Sequence, residues 1–412
     1  MSSDAPSIQK STGLRTIYLS PTGRHTRYML AAYLRHVFMV TAVLLAIALT
    51  IDLWPQFHLI ANGQGRGALG AIWGVLRFSA LRTPGLVAPF LPFSTFLGVA
   101  WTEMAHTQSG ERMLVWNTGR SPLQCLTPVI LLGAVLGAGE FTMDAYLGPA
   151  AMAVQMHERL GLDGQRLDRT RRGDDRWIAL SGGLLRTEIE YGPPPVLHHL
   201  TLYRRDASGQ LVEVDTAAVA RQLPGKSLWL MHDGRFWTPE GSPGTNDVSN
   251  LTVAPEGSVE DAMVSFTDRT VSLQLDPLWL SVFGMETQYL PMRILRPLAI
   301  SDRGPQSKGL YRTRLQVLYG EILLPGAMAL LAASLSLLLL AYGTRATALV
   351  GIVFVGYLAH FGTKACLLMG QNGYMPPVMA GWLVPTCLLG ATLAIFGVIE
   401  WQRRGGILRT GA

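Results

Sequence analysis

Six long apolar stretches constrain the fold of this chain more than any other feature of its sequence. Each is close to the roughly 20 residues that an α-helix needs to cross a hydrocarbon core. Only 15% of the residues are charged, against roughly 25% in an average soluble protein, so the composition argues against a disordered chain or a single soluble domain. The sequence predicts three membrane spans on each side of a polar interval, at 37–54, 85–105, 126–147, 322–342, 347–369 and 378–399.

Basic residues in the short flanks of these spans predict the orientation, because cytoplasmic loops carry an excess of Lys and Arg. If the N-terminus is cytoplasmic, that side holds eleven basic residues and the opposite short loops hold three. We therefore expect both termini in the cytoplasm and the polar interval on the outer face. The eleven are Lys10, Arg15, Arg24, Arg27, Arg35, Arg112, Arg120, Arg345, Arg403, Arg404 and Arg409, and the three are Arg66, Arg77 and Arg82.

The polar interval 149–313 is rich in short β-prone segments separated by turn residues. Asp233-Gly234 separates two of them and is typical of a two-residue hairpin turn, because both residues accept positive φ; Ser208-Gly209 marks another break. The sequence predicts an α+β membrane protein, with a β-sandwich or jelly roll at 149–313 between an N-terminal part, 1–148, and a C-terminal part, 314–412. The predicted strands are 177–180, 184–191, 200–204, 211–214, 227–232 and 251–254.

Apparent catalytic motifs lack the residues that their chemistry needs. Residues 225–227 resemble the end of a P-loop, but position 220 is Ala and no helix pattern follows. His157-Glu158 begins like a zinc-protease motif, but position 161 is Gly. The cysteines, Cys125, Cys366 and Cys387, lie in the apolar part of the chain and leave the polar interval without a disulfide framework. We therefore expect a chain that is not an enzyme and that has no metal or cofactor of its own. Because the sequence has no basic cluster, we also expect that it does not bind nucleic acid.

Charged residues inside the apolar runs carry more information, because each is costly at the bilayer centre unless it faces protein or water. Glu140 lies in the third run, Lys364 lies in the fifth with His360 one turn earlier, and Asp52 closes the first. These residues indicate either a polar path for a substrate or an interhelical pair, for instance Glu140 with Lys364.

The short loop between the second and third spans, 106–122, is amphipathic and long enough for two helical turns, with Gly119 as a C-cap. Such a helix lies across the membrane surface. Since the chain has no ATP site of its own, this helix is either the lever on which a separate ATPase pushes or an ordinary interfacial connection.

The order of several short motifs resembles that of the LptF/LptG permease family, the paired membrane subunits of the transporter that extracts lipopolysaccharide from the inner membrane of Gram-negative bacteria. The resemblance covers about 27–404. It includes 82–84 (Arg-Thr-Pro), 91–92 (Leu-Pro), Gly110-Glu111 with Gly119, Asp144 with Pro149, 324–325 (Leu-Pro) and the Met-Pro-Pro segment that starts at 375.

This resemblance implies an ABC transporter in which two six-span subunits, each with a periplasmic β-jelly roll, are driven by a dimer of the ATPase LptB. The other partners would be a paired LptF/LptG-type permease, an LptC-type periplasmic protein and lipopolysaccharide itself. The loop at 106–122 would be the coupling helix, with Glu111 meeting a basic residue of the ATPase and Arg112, Trp116 and Gly119 completing the coupling loop. ATP would be bound only by the partner.

The sequence departs from the family near the outer end of the first span, where members often carry a base for lipid A phosphates and this chain has none at 49–51. Arg159, Arg66, Arg77 and Arg82 are candidates to replace it by contacting phosphate, or they meet lipid headgroups as ordinary surface charge. The Met-Pro-Pro segment leans toward LptG.

Two other classes of protein stay open at this point. One is a membrane-anchored adaptor whose β domain recruits a periplasmic partner by adding an edge strand. The other is an intramembrane enzyme using His360 and Lys364, for which the sequence offers no partner nucleophile.

Overall fold

The structure, a computed structural model, describes residues 23–63, 67–117, 126–171, 175–180, 182–191, 194–223, 228–238, 251–252, 263–273, 275–301, 308–340 and 346–409. The helices are α1 (Arg24–Leu53), α2 (Phe57–Gly63), α3 (Ala68–Gln108), α4 (Glu111–Asn117), α5 (Thr127–Thr142), α6 (Gly148–His157), α7 (Gly161–Arg171), α8 (Pro277–Ser281), α9 (Met292–Ile300), α10 (Lys308–Glu321), α11 (Leu324–Leu339), α12 (Ala346–Gln371) and α13 (Pro377–Arg409). The strands are β1 (Arg176–Leu180), β2 (Gly183–Glu190), β3 (Val196–Arg205), β4 (Leu211–Gln222), β5 (Leu228–Trp237), β6 (Leu251–Thr252) and β7 (Val264–Ser272).

Within these residues, five helical segments are long and apolar enough to cross a membrane, and a bent pair makes a sixth if it counts as one span. Three segments precede the sheet; the bent pair and two segments follow it. This arrangement confirms the predicted class of α+β membrane protein. The segments are Arg24–Ile60, Ala68–Gln108, Thr127–His157, Ala346–Gln371 and Pro377–Trp401, and the bent pair is Gly309–Glu321 with Leu324–Leu339.

The fourth predicted span, 322–342, begins at a break in the helix. The two helices of the bent pair meet at 48° between Glu321 and Leu324. Pro325 lies in the first turn of α11. Because proline has no N–H and its ring would clash with the carbonyl of Glu321 in a continuous helix, α10 cannot run on into α11 without distortion.

The third span continues further than predicted, since α5 passes through a π-helical turn at Met143–Leu147 into α6 and ends at His157. The predicted boundary after residue 148 therefore lies inside a helical segment. The chain reaches the sheet only after a further helix, α7.

Close helix contacts hold α11 in the middle of the bundle, where Ala327, Met328 and Ala329 are fully buried. A Cβ added to Gly133 of α5 would overlap the Cα of Gly326 in α11. Small residues let the backbones of two membrane helices come close together. The resulting packing stabilises the helix pair, because the hydrophobic effect does not drive helices together within lipid.

The strands form one antiparallel sheet in the order β1-β2-β3-β4-β5-β7-β6, so most strands pair with their neighbours in the chain. One face is buried, with Leu202, Trp229 and Met231 packed together with Trp279 of α8 and Leu295 of α9. The described strands confirm an antiparallel sheet inserted between the spans. The jelly roll stays a prediction.

The predicted hairpin at Asp233-Gly234 is wrong, because β5 runs straight through both residues. Asp233 does take a positive φ of 51°, but Gly234 stays paired with Ala217 on one side and Phe266 on the other. A Cβ on Gly234 would overlap the Thr216 carbonyl and the Phe266 ring. Glycine is needed here for close approach within the sheet. The break at Ser208-Gly209 is confirmed as the β3–β4 turn, with Gly209 at φ 86°.

Candidate functional site

A buried ion pair lies where the end of α3 turns into α4. Arg112, only 7% exposed, donates from Nη2 to the Glu103 carboxylate and, at 3.2 Å, to the Glu103 carbonyl oxygen. Its Nη1 donates to the carbonyl oxygen of Ser336 in α11 at 3.1 Å, and the Tyr33 hydroxyl of α1 donates to the other oxygen of Glu103. We call Tyr33, Glu103, Arg112 and the Ser336 carbonyl the α4 cluster.

The turn between α3 and α4 explains why Arg112 points inward. Gly110 has φ 77°, a left-handed conformation that glycine adopts without steric cost. Its carbonyl accepts from the Met113 and Leu114 amides, which starts α4. The reversed chain places Arg112 over Glu103, nine residues earlier.

The described side chains next to Arg112 in α4 are more exposed than Arg112 is. Glu111 is hydrogen-bonded by Tyr28 at 3.3 Å and lies 3.3 Å from His106, with its side chain 44% exposed. Met113 and Leu114 are more than half exposed. Trp116 lies on α4, and predicted Gly119 lies outside the described residues. Among the described side chains from Glu111 to Leu114, Glu111 and the apolar pair can therefore meet a partner, whereas Arg112 is not accessible.

A second polar cluster lines a cavity of about 560 Å³ at the sheet end of the bundle, between α3, α5, α10, α12 and α13. The segment from Gly284 to Gln288, which follows the sheet, contributes to its wall. We call it the sheet-end cavity. Its charged and titratable wall residues are Glu140, Asp144, Arg314, Glu321, His360 and Lys364, with Glu286 at the exposed rim.

The charges of this cavity are only partly paired. Arg314 lies 2.7 Å from Asp144 and 3.7 Å from Glu321. Glu140 is only 2% exposed and its Oε2 has no hydrogen-bond partner among the described atoms. Three acidic wall residues thus face two basic ones, Arg314 and Lys364, and the unpartnered oxygen of Glu140 leaves room for a water or another hydrogen-bonding group beside it.

The structure brings Glu140, Lys364 and His360 to the same cavity. Their proximity is needed both for a polar path for a substrate and for an interhelical pair. In the described residues no ion pair within 4.0 Å joins Glu140 to Lys364, and His360 lies against the rings of Phe90 and Phe93. That part of the chain also holds no group of three or more His, Cys, Asp or Glu residues that could bind a metal ion.

The predicted outer residues form a third set of ion pairs. Arg82 of α3 lies 2.8 Å from Asp52 of α1 and 2.9 Å from Asp163 of α7, so it ties two spans to the connector that leads to the sheet. Arg77 pairs with Glu158. Arg77 and Arg82, two of the residues proposed for phosphate, thus already have carboxylate partners, and Asp52 is one of the two partners of Arg82.

The two other predicted outer bases are Arg159 and Arg66. Arg159 follows α6 with φ 53°, and its amide donates to the Met156 carbonyl at 3.2 Å. Arg66 lies outside the described residues.

Sequence reasoning missed the roles of Glu103, Arg314 and Glu321. Glu103 was open to detection, because it is a charged residue inside the second apolar run, as Glu140 is inside the third. Arg314 and Glu321 precede the fourth run and therefore look like flanking residues. The sequence alone does not show that α10, the more polar helix before the break at Pro325, packs into the bundle.

Comparison with known proteins gives one family. The family model described as lipopolysaccharide export system permease LptF/LptG matches residues 27–397, a range that reaches from the first apolar helix to the last and contains the sheet. The comparison with curated proteins gives no significant match. With most of its length matched, from the first span to the last, this chain belongs to the LptF/LptG family of lipopolysaccharide export permeases.

Proposed function

We propose that this chain is the permease subunit of an ABC transporter that extracts lipopolysaccharide from the inner membrane and passes it to a periplasmic bridge. The family match over residues 27–397 carries the proposal. A second six-span LptF/LptG-type subunit, an LptB-type ATPase dimer and an LptC-type protein complete the assembly. Both termini and α4 lie in the cytoplasm, and the sheet, as part of a β-jelly roll, lies in the periplasm.

The surface of α4 supports its role as the contact for the ATPase. Glu111 is held by Tyr28 and His106 with part of its carboxylate exposed, and Met113 and Leu114 beside it expose apolar area. Protein interfaces commonly have an apolar centre that becomes buried on binding and charged residues around it that set the orientation of the partner. The exposed apolar pair and the oriented carboxylate of α4 fit this pattern.

The sheet-end cavity supports a route for the lipid between the spans and the sheet. It opens beside the segment 284–288 and combines polar wall residues with apolar ones such as Leu324 and Val384. Acyl chains leave the bilayer only if apolar surface continues to shield them from water. We propose that the buried face of the sheet takes over that shielding.

The experiment replaces Glu111 in the complex reconstituted in proteoliposomes. We expect Glu111→Ala to lower ATP-driven lipopolysaccharide release by about tenfold or more, because an oriented charge at the interface is lost. Glu190→Ala, an exposed glutamate of β2, is the matched control and should release at the wild-type rate. Release by Glu111→Ala at the wild-type rate would contradict the proposal.

The adaptor alternative predicts a different set of companions. A transporter subunit purified through a tag in mild detergent brings an ATPase and a second six-span subunit with it, whereas an adaptor brings only its periplasmic partner. In the described residues, five apolar segments, a bent helix pair and the buried charged residues of the sheet-end cavity exceed what an anchor needs, which favours the transporter.

A further inference from the structure

We infer that the Arg112–Glu103 pair is the positioning link that carries displacement of α4 into the membrane spans, an inference that rests on the proposed function. Arg112 does not itself reach the ATPase in this scheme. It fixes α4 to three spans, so that a push on the exposed face of α4 moves them together.

The hydrogen bonds of one guanidinium define this link. Arg112 bonds to the side chain and the carbonyl of Glu103 in α3 and to the carbonyl of Ser336 at the end of α11, and Glu103 in turn holds Tyr33 of α1. Arg is suited to this because its planar fork offers several donors in fixed directions, which the single ammonium of Lys does not.

Burial makes the link stiff. Arg112 and Glu103 are both less than a tenth exposed, so separating them would leave a charge in a low-dielectric site. Other side chains of α4, Met113 and Leu114, are exposed and give the helix little hold on the bundle. Since these two side chains face outward and the Arg112–Glu103 pair is buried, we take that pair as the main side-chain connection through which α4 moves α3 and α11.

The neighbouring Glu111 has a different task in this scheme. Its carboxylate meets Tyr28 and His106 at 3.3 Å, with nearly half of the side chain exposed. Adjacent residues of one loop thus divide the work: Glu111 receives the ATPase, and Arg112 passes the movement inward.

The test compares the single variant Arg112→Met with the double variant Glu103→Gln, Arg112→Met in the reconstituted complex. Three quantities are measured: thermal stability of the complex, ATP hydrolysis, and lipopolysaccharide released per ATP hydrolysed. The single variant leaves Glu103 buried without a counter-ion and is expected to be the less stable. The double variant removes both charges and is expected to recover stability and hydrolysis.

The release per ATP decides between a link and a merely structural pair. We expect the double variant to release at least about fivefold less lipopolysaccharide per ATP than wild type, the lower end of usual coupling between sites. A double variant that regains stability and also the wild-type ratio would overturn the inference.

Arg112→Lys keeps the charge and provides a second test if the other variants fail to assemble. Lysine retains the attraction to Glu103 but cannot donate to Glu103 and to the Ser336 carbonyl from one planar group. We therefore expect this variant to release an amount of lipopolysaccharide per ATP that lies between those of wild type and the double variant. A wild-type ratio for Arg112→Lys in that case would also overturn the inference.

Glu111→Ala, measured in parallel, separates this inference from the proposed function. If Glu111→Ala uncouples release while the Arg112 and Glu103 variants keep the wild-type ratio, only the link is wrong. If no ATPase accompanies the wild-type complex, the proposed function itself fails.

Discussion

The α4 cluster and the sheet-end cavity use the same kinds of charged residue in opposite ways. At α4, one Arg meets one Glu, both are buried, and a tyrosine and a carbonyl complete their hydrogen bonds. In the cavity, three acidic side chains face two basic ones around an open space, and one oxygen of Glu140 has no partner among the described atoms. A balanced, closed cluster holds elements together, whereas an unbalanced cluster around a cavity can rearrange when something enters.

The largest expected effect is at the closed cluster. Arg112→Met leaves Glu103 charged and buried, and loss of one partner of a buried pair costs about 3–5 kcal/mol of the free energy of unfolding. Chemical unfolding of the full chain in detergent measures it, with Arg205→Met on the exposed end of β3 as the matched control. An equally small loss of unfolding free energy in both variants would mean that Arg112 and Glu103 do not form a buried, fully paired cluster.

The corresponding change in the cavity should cost less. Arg314→Met removes the cation from between Asp144 and Glu321, but the side chains of these two acids keep 18% and 13% of their surface exposed. We expect a loss of about 1–3 kcal/mol, the desolvation cost of incompletely paired groups. The same unfolding experiment measures it, and a loss as large as that of Arg112→Met would remove the distinction between the two clusters.

A charged cluster in the sheet extends the comparison to a site with a measurable pH response. Asp215 of β4 is fully buried; its burial raises its pKa to about 6, although Arg269 of β7 donates to it and opposes the rise. Because the folded-state pKa lies above the unfolded value of 3.8, the folded state binds the proton more tightly. This contribution is fully present below the unfolded pKa and is lost as pH rises through the folded pKa.

We therefore expect the stability of the sheet to fall by up to about 2 kcal/mol between about pH 4 and about pH 7 through this residue. Asp215→Asn should remove that slope. Hydrogen exchange of the β4 amides in the full chain, corrected for intrinsic rates, reports it. The same pH dependence in wild type and variant would show that Asp215 does not titrate in this range.

The smallest effect is expected at the unpaired acid of the cavity. Glu140→Gln replaces a buried, incompletely bonded carboxyl by a neutral amide of nearly the same shape, so the free energy of unfolding should change by less than about 1 kcal/mol. The unfolding series that contains Arg314→Met measures it. A loss of several kcal/mol would mean that Glu140 has a partner, such as Lys364, and that the cavity cluster is balanced after all.

The sequence predicted what depends on residues close together in the chain. Long apolar runs give the spans, because crossing a bilayer needs only length and hydropathy. It failed where distant contacts decide: Asp233-Gly234 has the composition of a turn, yet Gly234 is required by the approach of Thr216 and Phe266 from neighbouring strands.

The same limit applies to the site. Glu111 and Arg112 are adjacent and were given one role, but the left-handed Gly110 turns Arg112 inward onto Glu103. Glu140, His360 and Lys364 stood out as charges or titratable groups in apolar runs. They line one cavity because of the way α5, α12 and the bent pair α10 and α11 pack together. Local sequence patterns do not predict this packing.

The most direct test of the central claim asks whether lipopolysaccharide reaches the buried face of the sheet only when the transporter is driven. Leu202 of β3 and Met231 of β5 are almost fully buried, and Leu211 of β4 is exposed and serves as the control. A photocrosslinking residue is placed at each position in the complete complex in proteoliposomes. The account predicts capture of lipopolysaccharide at Leu202 and Met231 with ATP and little without it; equal capture with and without ATP would contradict it.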